Sequence, residues 1–136
     1  MTDADLVAKK LALIETYVRE LQTLAEPARI DVDLREERFI EHTLQIAVQA
    51  ALDVASHIVS DDRLGEPRTN QEIFELLAKH GYIAEPLGRA LRTAVAFRNV
   101  LVHGYASVDK AIVRDIVENH LGDLLAFVAA IRGRMP

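Results

Sequence analysis

Cysteine is missing from all 136 residues. Its absence excludes a disulfide framework, a thiolate zinc site and a cysteine nucleophile, and it agrees with a reducing compartment. Glycine and proline are scarce, at 6 and 4 residues, and half of the chain is hydrophobic. Extended disorder does not go with that composition. No apolar run approaches the length of a membrane span, and the first residues, Met1-Thr2-Asp3-Ala4-Asp5, are acidic where a secretory signal is basic. A cytoplasmic protein without membrane association is expected. Strand-period segments, internal repeats and low-complexity tracts are also lacking, and the length suits one domain over 1–136.

Positive charge is in short supply overall. The formal net charge is −5, which argues against broad coating of nucleic acid. The bases are unevenly spread, however. Between Gly88 and Arg114 stand Arg89, Arg92, Arg98, Lys110 and Arg114 against one acid, Asp109. Such a segment can either hold one phosphate-rich ligand or simply solvate a helix face. Arg89, Arg92, Lys110 and Arg114 are therefore candidates for contacting the phosphates of such a ligand.

What is present is helical throughout, and the pattern predicts an all-α, antiparallel up-and-down bundle of about five helices. Asp3 or Thr2 can cap a first helix with apolar positions Leu6, Leu13, Tyr17, Leu21 and Leu24, broken after by Pro27. A second helix runs from Asp31 or Asp33 to Ser60, followed by the loop 61–67. Thr69 or Asn70 caps a short third helix, Glu72 to Lys79, that stops before Gly81. Glu85-Pro86 opens a fourth helix that Gly104 closes. Ser107 caps a fifth, carrying Ile112, Ile116, Leu121, Leu124 and Val128.

The second helix is apolar around most of its circumference, through Ala47, Val48, Ala50, Ala51, Leu52, Val54, Ala55, Ile58 and Val59. Part of that surface is expected to meet a second copy of the chain. One polar stripe remains, His42, Gln45, Gln49, Asp53, Ser56, His57 and Ser60, within a sector about 120° wide. It reads as a solvent-exposed strip. Asp53 and His57 could pair or bind a metal, but two such groups are a weak metal signal.

The chemistry concentrates in the fourth helix. Leu87, Leu91, Ala94, Val95, Leu101 and Val102 form its apolar face, and Arg98 lies near the middle of that face. A buried guanidinium needs a partner. Asp53 is one candidate, and either a packing pair or a functional site would satisfy it. His103 lies about 140° around the helix from Arg98, whereas Asn99 and His103 share a face with Arg92 beside them. Either the helix ends in a way that frees His103 from this projection, or two copies bring Arg and His together in one groove.

Arg98-Asn99-Val100-Leu101-Val102-His103-Gly104-Tyr105 resembles the R-x-x-x-x-H-x-Y signature of HEPN ribonucleases, in the form of the HepT toxin branch. The similarity extends over nearly the whole chain. Arg38-Phe39-Ile40-Glu41, Gln45-Ile46-Ala47, Asp53-Val54-Ala55 and His57-Ile58 resemble the family's long second helix. Phe74-Glu75-Leu76-Leu77 and Gly81-Tyr82-Ile83 resemble the segment after it, and Val108-Asp109 through Ile116-Val117-Glu118-Asn119 the fifth helix. The resemblance implies a homodimeric toxin of a two-gene module whose dimer cleft cleaves RNA without metal or cofactor. His103 would be acid and base, Arg98 would stabilise phosphate, and Asn99 would position, with Asp53 in support. Tyr105 would orient the substrate and accept AMP from an MntA-like nucleotidyltransferase antitoxin. The alternative is a non-catalytic helical module that binds nucleotide or docks a nucleotidyltransferase.

Overall fold

Residues 3–103 and 108–135 are described by a computed structural model, and they form six α-helices and no strand. The helices are α1 (Ala4–Leu24), α2 (Leu34–Asp61), α3 (Asn70–Lys79), α4 (Glu85–His103), α5 (Lys110–Asn119) and α6 (Leu121–Arg132), with a 3-10 turn at Pro27–Arg29. No described helix is long and apolar enough to cross a membrane.

Helix starts fall where a side-chain oxygen is available for the first backbone donors. Asp3 accepts from the Leu6 N–H at 2.9 Å, and Asp33 from the Arg35 and Glu36 N–H groups at 3.0 and 3.3 Å. Those bonds, Glu36's first, hold the Asp33 carboxyl below its usual range. Thr69 accepts from Glu72 at 3.2 Å, while the Glu72 carboxylate accepts from the Arg68 N–H. The α3 stop is equally local. Gly81 takes φ +79°, and the N–H groups of Tyr82 and Gly81 bond to the Leu77 and Ala78 carbonyls. Glycine enters this left-handed region without a Cβ penalty.

Helix α2 is the central element and packs against α1, α3, α4, α5 and α6. Its apolar circumference is thereby covered inside one chain. Every residue from Ala47 to Val59 named above as apolar is buried, so a second copy is not needed to cover them, contrary to the sequence expectation. Helices α3 and α4 run antiparallel, with Gly88 against Ala78 and Arg92 reaching Glu75. A Cβ on Gly88 would stand 3.0 Å from that of Ala78, so the close approach depends on glycine. Phe74 and Phe127 meet edge to face at 5.8 Å, joining α3 to α6.

Four further sequence expectations change. The fifth helix divides at His120 into α5 and α6, because its apolar positions shift phase between Ile116 and Leu121. Its N-cap is Asp109, which accepts from Ala111, while Ser107 lies outside the described residues. On α1 the core stripe is Val7, Leu11, Ile14, Val18 and Leu21, whereas Leu6, Leu13 and Leu24 are exposed. Two apolar stripes run side by side there, and the more continuous one wins the core. On α4, Val102 also faces outward.

Two buried residues of α2 are charged by type, Glu37 and Glu41. Glu41 is fully buried, and among the described residues neither carboxylate oxygen has a hydrogen bond. Burial, reinforced by the nearby Glu37 charge, raises its pKa against the opposing pull of Arg38 and Lys110. The folded chain therefore holds this proton to a higher pH than the unfolded chain. Stability from this site is full below the ordinary carboxylate range, about pH 4, and is lost as pH rises through the raised folded value. Glu41→Gln should raise Tm at pH 7, with the gain vanishing near pH 4. A gain that is absent at pH 7, or independent of pH, would contradict the assignment.

Candidate active site

The site is built where the C-terminal half of α4 lies over the polar stripe of α2. Arg98 turns inward, as its place on the apolar face requires, and is half-buried. Its Nη2 donates to Gln49 Oε1 and its Nη1 to Asn99 Oδ1 at 2.8 Å. Its Nε–H is sealed from solvent and meets no acceptor among the described residues. Among the described residues no carboxylate pairs with it. A guanidinium has five N–H donors, so among the described residues one N–H on each Nη remains open besides the sealed Nε–H.

The candidate Arg98–Asp53 pair is not formed. Gln49 stands between them, donating its Nε2 to Asp53 Oδ1 at 2.7 Å, and Lys10 of α1 holds Asp53 Oδ2 at 3.1 Å. A continuous chain therefore runs Lys10–Asp53–Gln49–Arg98–Asn99 across α1, α2 and α4. Gln49 was visible in the sequence only as a member of the polar stripe. Lys10 carried no local signal, since nothing in its own helix points to Asp53.

His103 lies in the last described turn of α4, which is regular up to it. It stays on the helical projection, exposed, on the outward side of α4 with Thr93, Ala96 and Val100. One protomer therefore does not bring His103 to Arg98. Gly104 and Tyr105 lie outside the described residues.

The other candidate cations are engaged. Arg89 lies 3.6 Å from Glu85, Arg92 3.0 Å from Glu75, Lys110 3.3 Å from Glu37 and Arg114 2.9 Å from Glu118. Their positive excess holds along the segment, while in space each meets an acid from outside it. His57 approaches Asp61 at 3.0 Å rather than Asp53. Among the described residues no cluster of three His, Asp or Glu side chains could hold a metal.

The described helices form the all-helical bundle of the HEPN class. The profile of the family described as "Ribonuclease HepT-like" matches residues 10–131. The chain belongs to this HepT-like family of RNA endonucleases. It is similar to the mRNA nuclease HepT of Shewanella oneidensis, 30% identical over 129 residues, 94% of this chain and 97% of that one. It is also similar to the tRNA nuclease HepT of Aphanizomenon flos-aquae, 29% identical over 106 residues, 76% of this chain and 72% of that one. Among solved structures, a tri-AMPylated Shewanella oneidensis HEPN toxin in complex with MNT antitoxin superposes with TM-score 0.89 at 28% identity. It covers 97% of this chain and 100% of that one.

Proposed function

We propose that the chain is the toxin of a cytoplasmic toxin–antitoxin pair, and that two copies form a metal-independent RNA-cleaving cleft. The observation that carries this reading is the division of the motif. Arg98 faces inward without a carboxylate partner, and His103 faces outward from the same helix end. Two-fold packing of α4 would set Arg98 of one protomer beside His103 of the partner subunit. The outward stripe Thr93, Ala96, Val100 and His103, with Val100, Val102 and Ile112 exposed, is what a second copy would cover.

In such a cleft one His103 removes the proton of an RNA 2′-hydroxyl. The oxygen attacks the adjacent phosphorus, and the P–O5′ bond breaks. The imidazolium so formed then gives that proton to the leaving 5′-oxygen. The products are a 2′,3′-cyclic phosphate and a 5′-hydroxyl. Arg98 opposes the charge that accumulates on the phosphorane, and its open donors are suited to phosphate oxygens. Asn99 positions the guanidinium. Arg89, Arg92, Lys110 and Arg114 would bind flanking phosphates by exchanging their present acidic partners.

Purified protein should cleave RNA in EDTA, and His103→Ala or Arg98→Ala should each abolish cleavage. Mixing the two inactive variants and allowing subunits to exchange should restore about a quarter of the wild-type rate. Half of the dimers are then mixed, and each holds one complete site of two. No recovery despite proven exchange, or cleavage that requires Mg²⁺, would overturn the composite site.

The antitoxin we propose is an MntA-like nucleotidyltransferase that transfers AMP to the Tyr105 hydroxyl. Each added phosphodiester charge would repel RNA phosphate from the Arg98 cleft. Incubation with ATP and a nucleotidyltransferase encoded beside this chain should increase the intact mass by AMP units and lower cleavage. Tyr105→Phe should show no increase. An increase that persists in Tyr105→Phe would place the modification elsewhere.

A further inference from the structure

We infer that Lys10 and Asp53 are positioning residues for Arg98, acting through Gln49, which serves as a neutral spacer between the Asp53 charge and the guanidinium. The inference rests on the proposed role of Arg98 as the group that meets RNA phosphate. Its starting point is the direction of the hydrogen bonds. An ammonium and a guanidinium only donate, a carboxylate only accepts, and a carboxamide does one at each end. With Lys10 and Arg98 as donors at the two ends, every bond between them has one allowed direction. Lys10 donates to Asp53 Oδ2, Gln49 Nε2 donates to Asp53 Oδ1, and Arg98 Nη2 donates to Gln49 Oε1. Turning the Gln49 amide over would put its oxygen against a carboxylate and its NH₂ against a guanidinium. Asp53 therefore fixes the amide, and Lys10 fixes Asp53.

The spacer also has an electrostatic consequence. If the carboxylate stood at position 49, it would pair with Arg98 directly and compete with every phosphate that enters. At position 53 its charge is taken up by Lys10, whose side chain and that of Asp53 are 33% and 40% exposed. Arg98 receives an oriented acceptor that carries no net charge. The two helices that supply the relay, α1 and α2, lie outside the R-x-x-x-x-H motif. That explains why the motif alone does not reveal it.

The test shifts the charge by one turn while keeping the shapes. Gln49→Glu/Asp53→Asn exchanges the carboxylate and carboxamide, conserves net charge and leaves a hydrogen-bonded chain. With a fluorophore-labelled RNA that the wild-type dimer cleaves, kcat should fall about 10- to 100-fold, more than KM rises, while Tm is not lowered. In the same assay Lys10→Met should lower kcat and Lys10→Arg should restore most of it. The Lys10 pair still decides the matter should the double variant fail to fold. Arg98→Ala is measured alongside. If Arg98→Ala is inactive while the exchanged pair and Lys10→Met cleave within twofold of wild type, the relay is overturned and the role of Arg98 stands. If Arg98→Ala remains active, the role of Arg98 fails first.

Discussion

An arginine on the inward face of a helix must be hydrogen-bonded, and in this bundle amide oxygens meet that requirement. The Arg98–Gln49 bond is the interaction around which the site is arranged. It gives the polar stripe of α2 a purpose, since Gln49 and Asp53 are half-buried where a simple solvent strip would leave them free. It also ties α1 to the site, because Asp53 is held from that helix by Lys10. Stranding a guanidinium in the interior costs several kcal/mol, and pairing it with a carboxylate would neutralise it. An amide avoids both outcomes and leaves a cation oriented for an anionic ligand.

The rigidity of α4 sets the second constraint. Five residues of regular helix separate Arg98 from His103 and place them about 140° apart. Because the helix runs unbroken up to His103, one copy cannot close the pair without unwinding. The proposed two-fold partner would resolve this with no cost in helix geometry. The apolar surface of α2 offers no support for that partner, since α1 and α3 to α6 already cover it. Support comes instead from the small and apolar residues displayed beside His103.

Much of the fold was legible in the sequence because its signals are local. Asp3, Asp33, Thr69 and Gly81 fix helix ends through bonds to residues a few positions away, and they fall where expected. What was misread depends on the whole assembly. The choice between two apolar stripes on α1 is made by α2 and α6, which local periodicity does not represent. The break at His120 follows from a phase shift that still looks helical on both sides. In the site, Arg98 was found because a charge on an apolar face is conspicuous. Gln49 and Lys10 were not, since an amide in a polar stripe and a lysine on a distant helix look like ordinary surface. The basic segment misled for the complementary reason. Its acids, Glu37, Glu75, Glu85 and Glu118, lie outside the stretch in which the charge was counted.

The most direct measurement is a crystal structure of the protein bound to an RNA carrying a 2′-deoxy sugar at its cleavage position, so that the attacking oxygen is missing. The account predicts a two-fold dimer with the scissile phosphate within about 3 Å of Arg98 donors. His103 of the partner subunit should lie on the same phosphate, and Gln49 should still hold Arg98. A scissile phosphate seated on Arg89 and Arg92 away from Arg98, or contacted by Arg98 and His103 of one chain, would contradict it.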